Sequence, residues 1–187
     1  MDLGIAGRKA IVCASSRGLG RACAEKLAEA GCEVVINGRD AERLKATADA
    51  MAKTYRVKVT PVAADLATPE CQKALLASCP DPDILVNNNG GPPPRDFREL
   101  TRQQMIDGVI ANMVVAIELI QKTIGPMTER RFGRIVNITS GSVKMPLANL
   151  DLSSGARAGL TAFLAGVART VADKNVTINN ILPGAFD

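Results

Sequence analysis

The sequence of 187 residues contains no histidine and no tryptophan, and it has a single tyrosine, Tyr55. Because histidine is absent, His-dependent catalytic triads and most zinc sites are excluded, and we expect no metal site. The formal net charge is only +4, and it is spread along the chain without a run of five like charges. The sequence therefore offers neither a basic arm nor a polybasic patch, and we expect no nucleic-acid partner.

The N-terminal residues lack the long apolar core of a secretion signal, and no uninterrupted apolar run suggests a membrane span. The five cysteines, Cys13, Cys23, Cys32, Cys71 and Cys79, are odd in number and lack CxxC spacing. Because they fall in apolar or helical stretches, they are typical of reduced core thiols. We therefore expect a cytoplasmic protein without a membrane partner.

Short apolar strands alternate with amphipathic helices along the whole chain. The pattern predicts strands over 9–14, 33–37, 57–63, 83–87, 134–139 and 176–182. It predicts helices over 18–30, 40–53, 69–77, 102–129 and 153–174, with a stiff loop at 90–94. Strands that are almost entirely apolar belong in a parallel sheet covered on both faces. We predict one α/β domain over 1–187, with a doubly wound parallel Rossmann sheet.

A glycine-rich segment leads from the first predicted strand into the first predicted helix. A turn of this kind brings backbone N–H groups and the positive end of a helix dipole to a pyrophosphate. Two glycines alone could serve only a tight turn, but the flanking strand and helix favour phosphate binding. The predicted nucleotide-binding residues of this segment are Ala14, Ser16, Arg17, Gly18, Leu19 and Gly20.

The segment resembles the TGxxxGxG fingerprint of the short-chain dehydrogenase/reductase family, with Ala14 in place of the first glycine, a change that a slightly wider turn could accept. Three further motifs resemble the family in order along the chain. They are Asp65-Leu66, which implies adenine contacts, Asn87-Asn88-Asn89-Gly90 for the NNAG motif, and Pro183-Gly184 for the PG turn. The resemblance covers essentially the whole chain, is strongest to 3-oxoacyl-carrier-protein reductases, and implies that Asp65, Leu66, Asn88, Gly90, Pro183 and Gly184 bind the cofactor.

The charge near the second predicted strand favours NADP(H) over NAD(H). Enzymes that select NAD place an acidic residue about 20 residues beyond the glycines. Here that region reads Asn37-Gly38-Arg39, and Arg17 lies in the phosphate turn. Two guanidinium groups suit the 2′-phosphate of NADP(H), although both could also be ordinary surface charges.

The family resemblance also implies catalytic positions. Ser140 matches the family serine, and Asn112 matches its helix asparagine, although a buried Asn can equally serve structure. The family's Tyr-x-x-x-Lys pair is missing, because Ser153 and Arg157 occupy those positions. Their i, i+4 spacing keeps both on one helix face. A serine is a far weaker acid than a phenol, and an arginine stays charged.

Two interpretations remain open from the sequence. The first is an NADP-dependent oxidoreductase that transfers hydride between nicotinamide and a ketone or alcohol, such as a 3-oxoacyl thioester. Its proton path would be altered, and Lys144 is a conceivable replacement for the missing lysine cation. The second is a non-catalytic NADP-binding sensor or partner subunit. A weaker third is a fragment that binds a fuller homologue. We expect a homodimer or homotetramer, and a chain that continues beyond its last residue as relatives do.

Overall fold

The computed structural model describes residues 2–184; Met1 and residues 185–187, which the predicted domain includes, lie outside the described part. Six strands form one sheet, and every pairing in it is parallel. The strands are β1 (Lys9–Val12), β2 (Glu33–Gly38), β3 (Val59–Ala63), β4 (Ile84–Asn87), β5 (Gly133–Ile138) and β6 (Val176–Ile181), in the order β3-β2-β1-β4-β5-β6. The predicted doubly wound α/β sheet is confirmed.

Residues 2–184 form six α-helices. They are α1 (Gly18–Glu29), α2 (Ala41–Tyr55), α3 (Pro69–Ser78), α4 (Arg102–Val109), α5 (Val115–Glu129) and α6 (Asp151–Val171). Five of them pack on the sheet, whereas α4 packs on α6. Ile11 and Leu85 belong to one core cluster, whereas Val12 and Val86 belong to the other. Successive strand residues point to opposite faces, so both faces of the sheet are apolar and both carry helices.

The strand order reverses direction between β1 and β4, and this position defines the site. The chain leaves β1 toward β2 and β3 on one side, then returns to β4 beside β1. The loops after β1 and β4 therefore diverge at the carboxyl ends of the strands. Open parallel sheets bind ligands in the crevice formed at such a switch point.

Several element boundaries differ from the predicted ones. β1 ends at Val12 because Ala14 has a φ of +45°, which is left-handed backbone that no strand contains. The alanine in place of the first family glycine thus adopts a left-handed conformation. The predicted strand at 57–63 begins only at Val59, and the last turn of the predicted helix at 153–174 is a 3₁₀ turn over Ala172–Lys174.

The predicted helix over 102–129 is continuous in direction but contains a π-helical turn at Ile110–Val114. The helical stretch Arg102–Glu129 has 28 residues, and its most apolar 18-residue segment has a mean hydropathy of 1.3. By length and composition alone, it is long and apolar enough to cross a membrane. It is not an uninterrupted apolar run, because Asp107, Glu118 and Lys122 lie within it. Here Leu119 and Met127 are fully buried in the core of the sheet domain, as in a helix that packs inside a folded domain.

The cysteines are predominantly interior residues. Cys13, Cys32, Cys71 and Cys79 are buried and unpaired, and Cys23 is half-buried. Burial raises the pKa of Cys13 to about 12 and that of Cys79 to about 11. Since the thiolate is the reactive form, these two thiols are inert at neutral pH, in agreement with the prediction of core thiols.

Candidate active site

A cleft of about 810 Å³ opens at the carboxyl ends of the strands, at the switch point. Eleven of the predicted site residues line it: Ala14, Ser16, Arg17, Gly18, Leu19, Arg39, Asp65, Leu66, Asn88, Gly90 and Asn112. Six others do not: Gly20, Ser140, Ser153, Arg157, Pro183 and Gly184. The lining also includes Asn37, Arg43, Arg95 and Asp107, which were not predicted as site residues.

Two asparagines hold the turn after β1 in its left-handed shape. Asn37 accepts a hydrogen bond from the Ala14 amide through Oδ1, at 3.3 Å, and Asn88 donates Nδ2–H to the Ala14 carbonyl at 3.2 Å. Asn37 also donates through Nδ2 to the carbonyls of Val62 and Ala64, both at 3.1 Å. Asn37 thus connects the ends of β1, β2 and β3 beneath the cleft, which explains why a polar residue lies near the end of this buried strand.

The N-terminus of α1 is the part of the cleft best suited to phosphate. The helices α2, α3 and α4 begin with side-chain caps from Asp40, Thr68 and Thr101. By contrast, Arg17 at the start of α1 is extended and provides no side-chain cap. The first N–H groups of α1 have no partner within the helix and face the cleft, where a bound anion can accept from them.

Gly20 does not line the cleft, but it determines how closely α1 approaches the turn. A Cβ atom at this position would lie 2.4 Å from the Ala14 carbonyl oxygen and 2.8 Å from Asn88 Nδ2. Contacts this short with backbone cannot be relieved by a side-chain rotation. Only glycine therefore permits the observed contact between the helix and the turn.

Three arginines line the cleft near the carboxyl end of β2. Arg17 and Arg39 are exposed there and form no ion pair with any of residues 2–184. Arg43 approaches Asp40 at 3.2 Å, which neutralises part of its charge. Nearby, Asp65 accepts from the Ala67 amide at 3.0 Å, and this bond fixes its carboxylate at the cleft wall. This end combines an uncapped helix with unpaired cations, which is complementary to a polyanion.

Arg157 is buried and forms hydrogen bonds to three separate parts of the chain. Its Nη1 donates to the carbonyls of Ile138, at 2.8 Å, and Thr139, at 3.2 Å, and its Nη2 donates to the Asn89 carbonyl at 3.2 Å. Nε donates to Ser153 Oγ at 3.2 Å. A guanidinium has five N–H groups, so these bonds leave one for another partner. Direct contact between Arg157 and a nicotinamide ribose stays a prediction.

The Arg157 guanidinium is also a buried charge without a nearby anion. None of the carboxylates in residues 2–184 forms an ion pair with it. Burial lowers the pKa of Arg157 from its ordinary value, yet guanidinium stays cationic in proteins. Its positive charge therefore acts, little screened, on the neighbouring wall of the cleft.

Ser140 is oriented by a residue that the sequence did not single out. Its Oγ accepts from the Ser142 amide at 3.1 Å and from Ser142 Oγ at 2.9 Å. With both lone pairs engaged, the Ser140 hydroxyl is left as a donor. Ser142 is thus a buried positioning residue. The only signal in the sequence is that Ser142 follows Ser140 by two residues. At this spacing a serine hydroxyl can accept a hydrogen bond from a backbone amide in a turn.

Asn112 lies in the π-helical turn, and its side chain is buried. Its Nδ2 donates to the Gly108 carbonyl at 3.3 Å, while Oδ1 has no partner among the described residues. Asn89 donates to the carbonyl of the adjacent Ala111 at 2.9 Å. Because Asn89 also offers its own carbonyl to Arg157, it connects the Asn112 turn to the Ser153–Arg157 pair. Asn112 and Arg157 line a common small pocket of about 20 Å³.

The remaining residues considered from the sequence lie beside the Asn112 end of the cleft or away from the cleft. The Pro183 carbonyl accepts from the Gly141 amide at 2.7 Å, so Pro183 and Gly184 support the turn that carries Ser142. Lys144 is exposed and does not line the cleft. Tyr55 ends α2, at the opposite end of the strands from the cleft, so it is no substitute for the missing tyrosine.

A switch-point cleft with an uncapped helix at one end and Asn112 at the other defines a dinucleotide-binding Rossmann protein. The family model described as short chain dehydrogenase matches residues 8–187, and the chain belongs to this family.

Three relatives indicate the range within this family. The 3-oxoacyl-[acyl-carrier-protein] reductase FabG of Aquifex aeolicus is 35% identical, over 100% of this chain and 77% of that protein. The crystal structure of L-sorbose reductase from Gluconobacter frateurii complexed with NADPH and L-sorbose is similar at a TM-score of 0.93 and 31% identity, covering 98% of this chain and 72% of that one. The human inactive hydroxysteroid dehydrogenase-like protein 1 is 31% identical over 95% of this chain and 55% of its own length.

Proposed function

We propose that the protein is an NADP-dependent oxidoreductase that transfers hydride between nicotinamide and a ketone or alcohol, such as a 3-oxoacyl thioester. The observation that carries the proposal is one continuous cleft whose two ends differ in chemistry. One end offers unpaired arginines and free helix N–H groups. The other end has Asn112 in its wall and the Ser153–Arg157 pair beside it. A relative complexed with NADPH supports the same assignment.

The residues present fit NADP(H) at the nucleotide end. The N-terminus of α1 would hold the pyrophosphate, Arg17 and Arg39 the 2′-phosphate, and Asp65 with Leu66 the adenine side. The close contact at Gly20 keeps α1 in position for this task. When bound, the nicotinamide supplies or accepts the hydride.

In this proposal, residues of the protein bind the carbonyl oxygen of the substrate and stabilise its charge. Ser140, with its lone pairs occupied by Ser142, donates its hydroxyl hydrogen to that oxygen. Arg157 stabilises the negative charge that develops there, because its charge is buried and unneutralised. Ser153 accepts from Arg157 and keeps its own hydrogen for a water or the substrate. Serine cannot match the acidity of a phenol, so the proton comes from water and turnover is slow.

The same proposal includes the assembly and location of the protein. Exposed apolar side chains on α4, among them Met105, Ile106 and Val109, favour a homodimer or homotetramer. The unpaired interior cysteines favour a reducing compartment, the cytoplasm. Light scattering that gives the monomer mass would remove the oligomer from the proposal.

NADPH oxidation with an acetoacetyl thioester and a panel of ketones tests the activity. We expect turnover in the wild type and a loss of about 100-fold in kcat for Ser140→Ala, since one oxyanion donor is removed. Lys144→Ala, outside the cleft, is the matched control and should retain activity. If NADPH binds but no ketone is reduced, the protein is a non-catalytic NADP-binding sensor or partner subunit.

Coenzyme preference gives a separate prediction. Arg39→Gln should raise the Kd for NADPH about 10- to 100-fold and leave that for NADH nearly unchanged, because only NADPH carries the 2′-phosphate. Arg21→Gln is the control, since Arg21 pairs with Glu25 on α1 at 2.8 Å and does not line the cleft. Equal weakening of both coenzymes in Arg39→Gln would contradict the assignment.

A further inference from the structure

One wall of the catalytic end is a rigid segment that ends in an arginine. Gly90 to Pro93 line the cleft, and Arg95 follows after the third of three consecutive prolines. Proline has a fixed φ and no N–H, so a run of three is stiff. The Arg95 amide donates to the Asn149 carbonyl at 2.9 Å, which ties this segment to the loop before α6. Arg95 is therefore held at the cleft by the stiff run before it and by its own backbone bond.

The charges at this end do not balance. Arg95 lines the cleft, and within residues 2–184 its guanidinium forms neither an ion pair nor a hydrogen bond. Asp107 is the carboxylate that lines the same end, and its Oδ1 accepts from Gln103 Nε2 at 2.8 Å. Behind the wall, Arg157 adds a buried positive charge that no carboxylate of the described chain neutralises. This end thus carries the positive charges of Arg95 in the lining and Arg157 behind the wall against the single negative charge of Asp107.

Arg95 is exposed in the open cleft, and a surplus of positive charge there attracts an anionic substrate. Arg95 offers a planar pair of N–H groups, which matches the two oxygens of a carboxylate. The neighbouring Arg98 differs, because it is already paired with Asp96 at 2.6 Å. Resting on the proposed function, we propose that the substrate is a keto acid, or the corresponding hydroxy acid, whose carboxylate is bound by Arg95.

Matched pairs of acids and esters test this inference. The substrates are 4-oxopentanoate and 5-oxohexanoate, each beside its methyl ester, with NADPH. The wild type should show at least about tenfold higher kcat/KM for the better acid than for its ester, and Arg95→Gln should abolish this preference. Arg95→Lys should keep part of it, and Arg98→Gln should leave it unchanged. An ester that equals its acid in the wild type, or a preference that survives in Arg95→Gln, would overturn the proposal.

A binding measurement separates this inference from the proposed activity. Calorimetric titration of the two acids into the protein with NADPH present should show a Kd at least about tenfold weaker in Arg95→Gln than in the wild type. If no ketone is reduced but this difference is found, the activity fails and the anion site stands. If both proteins bind the acids equally, or neither does, the anion site is refuted whatever the turnover.

Discussion

Replacement of Gly20 by alanine is expected to weaken NADPH binding by about 100-fold and to lower the free energy of unfolding by about 2 kcal/mol. The added Cβ would lie 2.4 Å from the Ala14 carbonyl oxygen, which belongs to the backbone and cannot rotate away. Therefore α1 must move outward from the turn. That movement displaces the N–H groups that we assign to the pyrophosphate and breaks the contact between Asn88 and Ala14.

Gly166→Ala is the matched control for this substitution. Gly166 lies in α6, and a Cβ there would meet nothing within 4 Å. Since alanine favours helix more than glycine does, this variant should gain up to about 1 kcal/mol in stability and bind NADPH normally. Urea unfolding and NADPH fluorescence titration measure both quantities. Wild-type affinity in Gly20→Ala would show that the position of α1 does not govern nucleotide binding.

The second large effect is expected at Arg157. Arg157→Met should lower the free energy of unfolding by about 3 kcal/mol or more, because it removes four hydrogen bonds and takes the guanidinium donor from three carbonyls, two of them buried. The carbonyls are those of Asn89, Ile138 and Thr139. Arg157→Lys keeps the charge but has fewer, differently directed N–H groups, so we expect a loss of about half that size.

Arg169→Met provides the comparison on the same helix. Arg169 is exposed on α6, so its replacement should change stability by less than about 0.5 kcal/mol. Urea or thermal unfolding of the three variants beside the wild type is sufficient. If Arg157→Met unfolds at the wild-type midpoint, the guanidinium is not the structural connection that its contacts indicate.

The sequence predicted those features that depend on neighbouring residues. The apolar strands, the glycine turn and the lack of an acid at the end of the second strand are local patterns, and the parallel sheet follows from the alternation of strands and helices. The contacts of Arg157 could not be predicted in the same way. Asn89 is 68 residues away and Ile138 is 19 away, so only the fold brings them together.

The backbone conformations of single residues could not be predicted from the hydrophobic pattern of the sequence either. Alanine rarely adopts positive φ, and the left-handed Ala14 depends on Asn37 and Asn88, which bond it from two other parts of the chain. The π-helical turn at Ile110–Val114 leaves the 3.6-residue hydrophobic spacing of the surrounding helix recognisable, so periodicity did not locate it. Both features depend on tertiary contacts.

The contacts of Arg157 also restrict how this chain could evolve toward the Tyr-x-x-x-Lys pair of its family. Tyrosine at position 153 would enter a buried place, because Ser153 is only 8% exposed. It would also displace the hydroxyl that accepts from Arg157. Lysine at position 157 would release three carbonyls in two segments, that of Asn89 and those of Ile138 and Thr139. Because Ser153 and Arg157 share a hydrogen bond, the effects of the two substitutions on stability are expected to be non-additive, so the cost of either change depends on whether the other has been made.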